Sequence, residues 1–284
     1  MFLRGVPTNI STFEFLFITS SISFILLLFI FFNELFRIDK KHISQCAILS
    51  VESFAYNLFL LLGSKGIDST TISSVVSSYF VFIPILEYLI FKSLPKLNTI
   101  VAIIFVFIGI PLIIGLRTEN FKNINMIFLV LADIMIAVNI ITIGSYAKGS
   151  NPAILAIGQL FFTSIISFIC WVIESKLNNG IMYFPKEPMF WGSVIFISFF
   201  IRGLYTVVQI YAQRYVTPVN AALIFSSEII MTLLLSGIVY KFIFKEQYTE
   251  SITLSKIIGI IFMLIGILMS EINLIDLLFK KRKS

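Results

Sequence analysis

The stretch FWGSVIFISFFIRGLYTVVQIYAQRYVTPVNAALIFSSEIIMTLLLSGIVY, residues Phe190–Tyr240, decides the fold. It is two long apolar runs joined by a short turn at Arg214–Pro218, with Arg202 inside the first run and Glu228 inside the second. A full charge at the centre of a membrane span costs at least about 2.5 kcal/mol on insertion scales, so it faces a partner or a water-filled cavity. The pair therefore marks a candidate site, provided the rest of the chain is built for a membrane.

Composition says that it is. The 284 residues are 58% hydrophobic and 13% charged, with mean hydropathy +1.00 and 31 Phe. A soluble domain carries about 25% charged residues. Uncharged runs near the length of a bilayer span recur along the chain, which reads as an all-α, polytopic membrane protein. The net charge of +6 is not a nucleic-acid signal: four basic residues crowd into Lys280–Lys283 and most others sit in short connections. Cys46 and Cys170 both lie inside apolar runs, so no disulfide framework is indicated. The N-terminal MFLRGVPTNIS lacks the pattern of a cleavable signal peptide, because the apolar run begins after a polar gap and outlasts a signal's length.

Nine spans are expected: Thr12–Phe32, Ser44–Leu62, Thr70–Phe91, Thr99–Leu116, Met126–Tyr146, Pro152–Ile173, Phe190–Ala212, Val219–Tyr240 and Ile257–Ser270. Counting Lys and Arg in the connections gives eleven on the side of the C-terminus and nine on the other. The terminal cluster and the Arg37–Lys41 group decide the orientation, with the C-terminus cytoplasmic and the N-terminus outside.

The chain repeats itself. LFITSSISFI (Leu16–Ile25) matches LFFTSIISFI (Leu160–Ile169) at eight of ten positions. LNTIVAIIFVFIGI (Leu97–Ile110) matches LSKIIGIIFMLIGI (Leu254–Ile267) at eight of fourteen and sets Gly109 on Gly266. The first span thus pairs with the sixth and the fourth with the ninth, giving repeats over 1–120 and 121–284 with four and five helices. An odd-numbered unit in tandem inserts in opposite senses, the inverted-repeat plan of secondary transporters. The span Met126–Tyr146 has no counterpart in the first half. Either a first helix has been lost or the true start lies upstream.

Catalytic and metal signatures are missing from the sequence. No GxxxxGK[ST] occurs, and His42 has no acidic or cysteine companions at ligand spacing. No nucleophile–base pair stands out, so neither an enzyme nor a cofactor is expected. The candidates are buried polar groups. Arg202, Tyr205, Thr206 and Gln209 fall on one α-helical stripe, a cavity wall with a cation for a carboxylate or phosphate. The bland alternative is an arginine neutralised by a neighbouring helix to permit insertion, and Glu228 is the obvious counter-ion. Glu52 with Tyr56, Asp133, Asn139 and Gln159 complete the set, each equally readable as an interhelical hydrogen-bond partner. Two mid-depth carboxylates would also permit proton coupling. The Ser/Thr run from Thr70 to Ser78 reads as close helix packing, and Pro84 and Pro111 as kinks or breaks.

AQRYVTPVNAALIFSSE (Ala212–Glu228), then Lys245–Glu246, then LSKIIGIIFMLIGILMSE (Leu254–Glu271), resembles the end of the EamA-type module of the drug/metabolite transporter superfamily. Ala212–Glu228 is the specific part; the rest is helical hydrophobicity and spacing. The resemblance implies ten helices in two five-helix inverted repeats around a central cavity, moving amino acids, metabolites, amines or drugs without ATP. The chain departs from the pattern in lacking the first helix, in Ile229 where Pro is usual, in Lys245 where Gly is usual, and in Thr19 where Arg is common. Arg202 matches no family hallmark.

The expectation is a secondary transporter in the lipid bilayer, fitting a bacterial plasma membrane best. Its small-molecule substrate would be handled by Glu52, Tyr56, Asp133, Gln159, Arg202, Gln209 and Glu228. The competing expectation is a non-transporting remnant or membrane assembly partner. Nothing in the sequence assigns an oligomeric state.

Overall fold

A computed structural model describes residues 10–65, 72, 75–76, 79–92, 97–114, 124–177, 188–225, 227, 231 and 253–271. These are helical with short connections and no strand: α1 Thr12–Ile30, α2 Lys40–Gly63, α3 Tyr79–Phe91, α4 Leu97–Ile114, α5 Ile124–Tyr146, α6 Pro152–Leu177, α7 Pro188–Phe196, α8 Tyr205–Ala212, α9 Pro218–Phe225 and α10 Leu254–Glu271. A 3₁₀ turn, Phe32–Arg37, joins α1 to α2, and a π-helical segment, Ile197–Leu204, runs between α7 and α8. Among the described residues, five stretches are long and apolar enough to cross a bilayer: Thr12–Ile30, Lys40–Gly63, Ile124–Tyr146, Pro152–Leu177 and Phe190–Ala212. Among the described residues, Tyr79–Phe91, Leu97–Gly109 and Leu254–Gly266 are shorter apolar helices. Most of the expected Val219–Tyr240 span, Glu228 included, and the Ser/Thr run of Thr70–Ser78 except Ile72, Val75 and Val76 lie outside the described residues. Outward-pointing Phe29, Leu89, Phe107 and Leu268 fit lipid as the surrounding solvent.

Helix starts follow local chemistry. Ser11 caps α1, its Oγ accepting the Phe13 N–H at 3.1 Å. Asn151 caps α6 through Oδ1 to the Ala153 N–H at 2.9 Å, with Pro152 in the first helical position. Thr217 and Pro218 open α9 the same way, the Thr217 Oγ1 accepting the Asn220 N–H at 3.3 Å. Pro84 and Pro111 do not interrupt their helices, correcting the idea of breaks there. Each removes one backbone donor from a helix that otherwise continues.

The contacts divide the chain into two compact units. Unit 1 comprises Met1–Leu62 and Ile141–Val216. In it the repeat-matched helices α1 and α6 face one another, with Phe17 stacked on Trp171 at 5.7 Å and Ser21 Oγ 2.6 Å from Ser164 Oγ. Matched positions make matched bonds: Thr19 donates to the Phe15 carbonyl and Thr163 to the Gln159 carbonyl, both at 2.7 Å. Ser23 likewise donates to the Thr19 carbonyl at 2.6 Å and Ser167 to the Thr163 carbonyl at 2.7 Å. One core gathers Leu27, Leu49, Ile143, Leu155 and Ile210; a second gathers Phe15, Ile18, Phe190 and Val194.

Unit 2 comprises Gly63–Ile140 and Thr217–Ser284, and its closest contact is α4 on α10. The matched glycines sit at that contact. A Cβ on Gly109 would lie 2.8 Å from the Gly259 carbonyl oxygen, and one on Gly266 would lie 2.8 Å from the Ala102 carbonyl oxygen. Backbones approach this closely only where side chains are absent, the main source of helix affinity where lipid removes the hydrophobic drive. Gly109→Ala and Gly266→Ala are each expected to destabilise by about 1–3 kcal/mol through overpacking, lowering the thermal midpoint of purified protein in detergent. An unchanged midpoint in both would overturn this packing.

Asp39 opens α2, its Oδ1 accepting the His42 N–H at 2.8 Å, and this bond lowers the Asp39 pKa below the ordinary carboxylate value. A depressed carboxylate stabilises the folded state above its unfolded pKa of about 3.9 and loses that contribution as pH falls through the folded value. The protection factor of the His42 amide, its exchange relative to an unstructured peptide at the same pH, is therefore expected to fall below about pH 4, and Asp39→Asn to blunt that dependence.

Candidate functional site

Arg202 lies in the last turn of the π-helical segment. Tyr205 N–H donates to the Phe200 carbonyl, five residues back, so the turn is wider than α. Gly203 permits it: a Cβ there would lie 3.0 Å from the Ser198 carbonyl oxygen. That carbonyl takes the Ser23 hydroxyl of α1 at 2.8 Å. The wide turn also shifts the stripe counted on α-helical spacing. Gln209 is buried and Thr206 half-buried as expected, but Tyr205 is 44% exposed and faces away.

The half-buried Arg202 guanidinium is held by two neutral groups. Nη1 donates to Ser20 Oγ and Nη2 to Asn57 Oδ1, both at 3.1 Å. Asn57 is oriented in turn by its Nδ2, which donates to the Ser53 carbonyl at 2.7 Å. Tyr56, half-buried beside Asn57 on α2, is an electrostatic neighbour of the guanidinium. No described carboxylate forms an ion pair with Arg202. The cation thus joins α1, α2 and the π-helical segment, and described residues take two of its five N–H donors.

The other candidates are placed as follows. Glu52 is buried on α2, and its Oε1 accepts the Thr142 hydroxyl at 2.8 Å. Gln159 is buried on α6, with no hydrogen-bond partner for Oε1 among the described residues. Gln209 is buried on α8. These belong to unit 1, as do Tyr56 and Arg202. Asp133 and Asn139 are buried on the part of α5 that belongs to unit 2. Glu228, the expected counter-ion, lies outside the described residues.

Sequence reasoning missed Ser20, Asn57, Gln213 and Glu14. Gln213 is fully buried with neither amide atom bonded among the described residues, and Glu14 is 2% exposed with its Oε1 unbonded. Close by, the Ser11 hydroxyl donates to Glu174. The signal for all four was a polar residue inside or beside an apolar run.

Bilayer-length apolar helices, with no strand among the described residues, define an all-α polytopic membrane protein. The chain belongs to the EamA-like transporter family, whose model matches residues 1–115 and 123–271. It is similar to an uncharacterized transporter of Archaeoglobus fulgidus, 24% identical over 183 residues, which cover 63% of this chain and 56% of that protein. The match thus spans little more than half the length of that relative. A solved crystal structure aligns with TM-score 0.69 at 10% identity, covering 93% of this chain and 89% of that one, a likeness of fold alone.

Removing the neutral acceptor tests the cradle. Asn57→Leu leaves an Nη2 donor unsatisfied inside the span and is expected to cost about 1–3 kcal/mol or more, seen as a lower thermal midpoint. Asn57→Asp supplies a counter-ion and should keep the wild-type midpoint.

Proposed function

We propose that the chain is a secondary, ATP-independent transporter that moves a small metabolite by alternating access between repeats 1–120 and 121–284. The observation that carries this reading is Arg202, a cation inside a membrane span whose described partners, Ser20 and Asn57, are both uncharged. Such a cation keeps its charge for a ligand, and an anionic group on the substrate is the fitting counter-charge. An amino acid or other carboxylate-bearing metabolite suits it better than a simple amine or cationic drug. Glu52, Tyr56, Gln159 and Gln209 supply polar contacts from the same unit, and Asp133 and Glu228 are assigned the same task on the sequence argument. Glu52 and Glu228 are the groups through which a proton would couple to flux. The membrane is a bacterial plasma membrane with the C-terminus cytoplasmic.

Uptake of labelled amino acids and dicarboxylates into proteoliposomes tests this. Arg202→Gln and Asn57→Asp are each expected to cut flux at least tenfold without preventing insertion, while Arg202→Lys retains part of it. Wild-type flux in both Arg202→Gln and Asn57→Asp would remove Arg202 from the mechanism. Flux of none of these probes, with amine export intact, would reverse the proposed substrate charge.

A further inference from the structure

A second cationic site lies in unit 1, apart from Arg202. The connection after α1, the connection between α5 and α6, and the end of α8 together enclose a cleft of about 680 Å³. Each contributes a cation: Arg37, Lys148 and Arg214. Glu34 is the acidic lining residue, and its Oε2 is already engaged by Arg37 Nη1 at 3.2 Å and by Asn151 Nδ2 at 2.7 Å. Lys148 and Arg214 have no described anionic partner, which leaves two uncompensated positive charges at the mouth. The rest of the lining is mixed, with Phe31, Ile154 and Val207 as apolar members beside polar Ser150 and Asn151.

We propose that this cleft holds the headgroup of an anionic phospholipid, its phosphodiester between Lys148 and Arg214 and its glycerol and upper acyl chain along Phe31 and Val207. The charge fixes the sign of the ligand. The apolar members of the lining, found where membrane-spanning helices end, favour a lipid over a free phosphate, which has no use for apolar contact. Basic side chains at the membrane surface each contribute about 1 kcal/mol toward anionic lipid, roughly a fivefold gain per residue. Three sequence-distant connections are thereby tied to one ligand, so an occupied cleft stabilises unit 1. This inference does not depend on the transport reading.

The test uses the full chain, delipidated in detergent and titrated with phosphatidylglycerol, phosphatidylcholine or water-soluble glycerol phosphate. Bound lipid is read by native mass spectrometry and stability by thermal midpoint. Wild-type protein is expected to retain phosphatidylglycerol over phosphatidylcholine and to melt higher with it. The Lys148→Gln/Arg214→Gln double variant should weaken phosphatidylglycerol binding on the order of thirtyfold, the product of two such contacts, and leave phosphatidylcholine binding unchanged. Lys148→Arg/Arg214→Lys, which preserves the charge, should restore the preference. On the wild-type chain, raising ionic strength should erode the preference as well. An undiminished preference in the Gln variant or at high salt would overturn the proposal. Glycerol phosphate binding as tightly as phosphatidylglycerol would overturn the lipid assignment in favour of a soluble phosphoester.

Discussion

A backbone carbonyl in hydrocarbon must find its donor within the protein, because there is no water to supply one. That constraint makes the chain helical and also governs its polar side chains. Thr19, Ser23, Thr163 and Ser167 all return their hydroxyls to carbonyls of their own helices. The π-helical segment obeys the same rule at a different point. Its Ser198 carbonyl lies 2.8 Å from the hydroxyl of Ser23 on α1, whose one proton is shared with the Thr19 carbonyl. The contact ties the segment to α1, and the wider pitch sets where Arg202 emerges.

Between helices the constraint is contact distance. Lipid tails are as apolar as leucine, so helices gain by packing more closely to each other than to lipid. Gly109 and Gly266 do this for α4 and α10, and Gly158 does it for α6 against α2, where an added Cβ would lie 2.7 Å from the Cys46 Cβ. Cys46 is thereby a packing residue, its thiol directed at the Ile154 carbonyl at 3.6 Å.

Much of this was legible in the sequence, and the exceptions share physical causes. Span positions follow from bilayer length, so α1, α2, α5 and α6 fall close to where hydropathy sets them. The sequence match between the two halves includes Thr19/Thr163 and Gly109/Gly266, positions that make backbone contacts in the fold. The π-helical turn was not legible, since periodicity arguments assume 3.6 residues per turn; Tyr205 was consequently assigned to the wrong face. Asn57 and Ser20 escaped because neutral polar residues carry no large insertion penalty and so do not stand out in an apolar run. Their importance appears only when a charge from another helix is found resting on them.

That resting place bears on the choice between site and scaffold. A mid-span arginine costs about 2.5–3.5 kcal/mol on insertion scales. Hydrogen bonds to charged groups contribute about 1.5–3 kcal/mol each, so Ser20 and Asn57 together offset the cost without a carboxylate. An arginine retained for scaffolding alone would gain more from an acidic partner, which would neutralise it and use its bidentate geometry. Among the described residues, the neutral cradle fixes the direction of the guanidinium and takes two of its five donors without a counter-charge. Among the described residues Arg202 is thus secured for insertion by neutral partners alone, and that observation is what supports the proposal that it meets an anion.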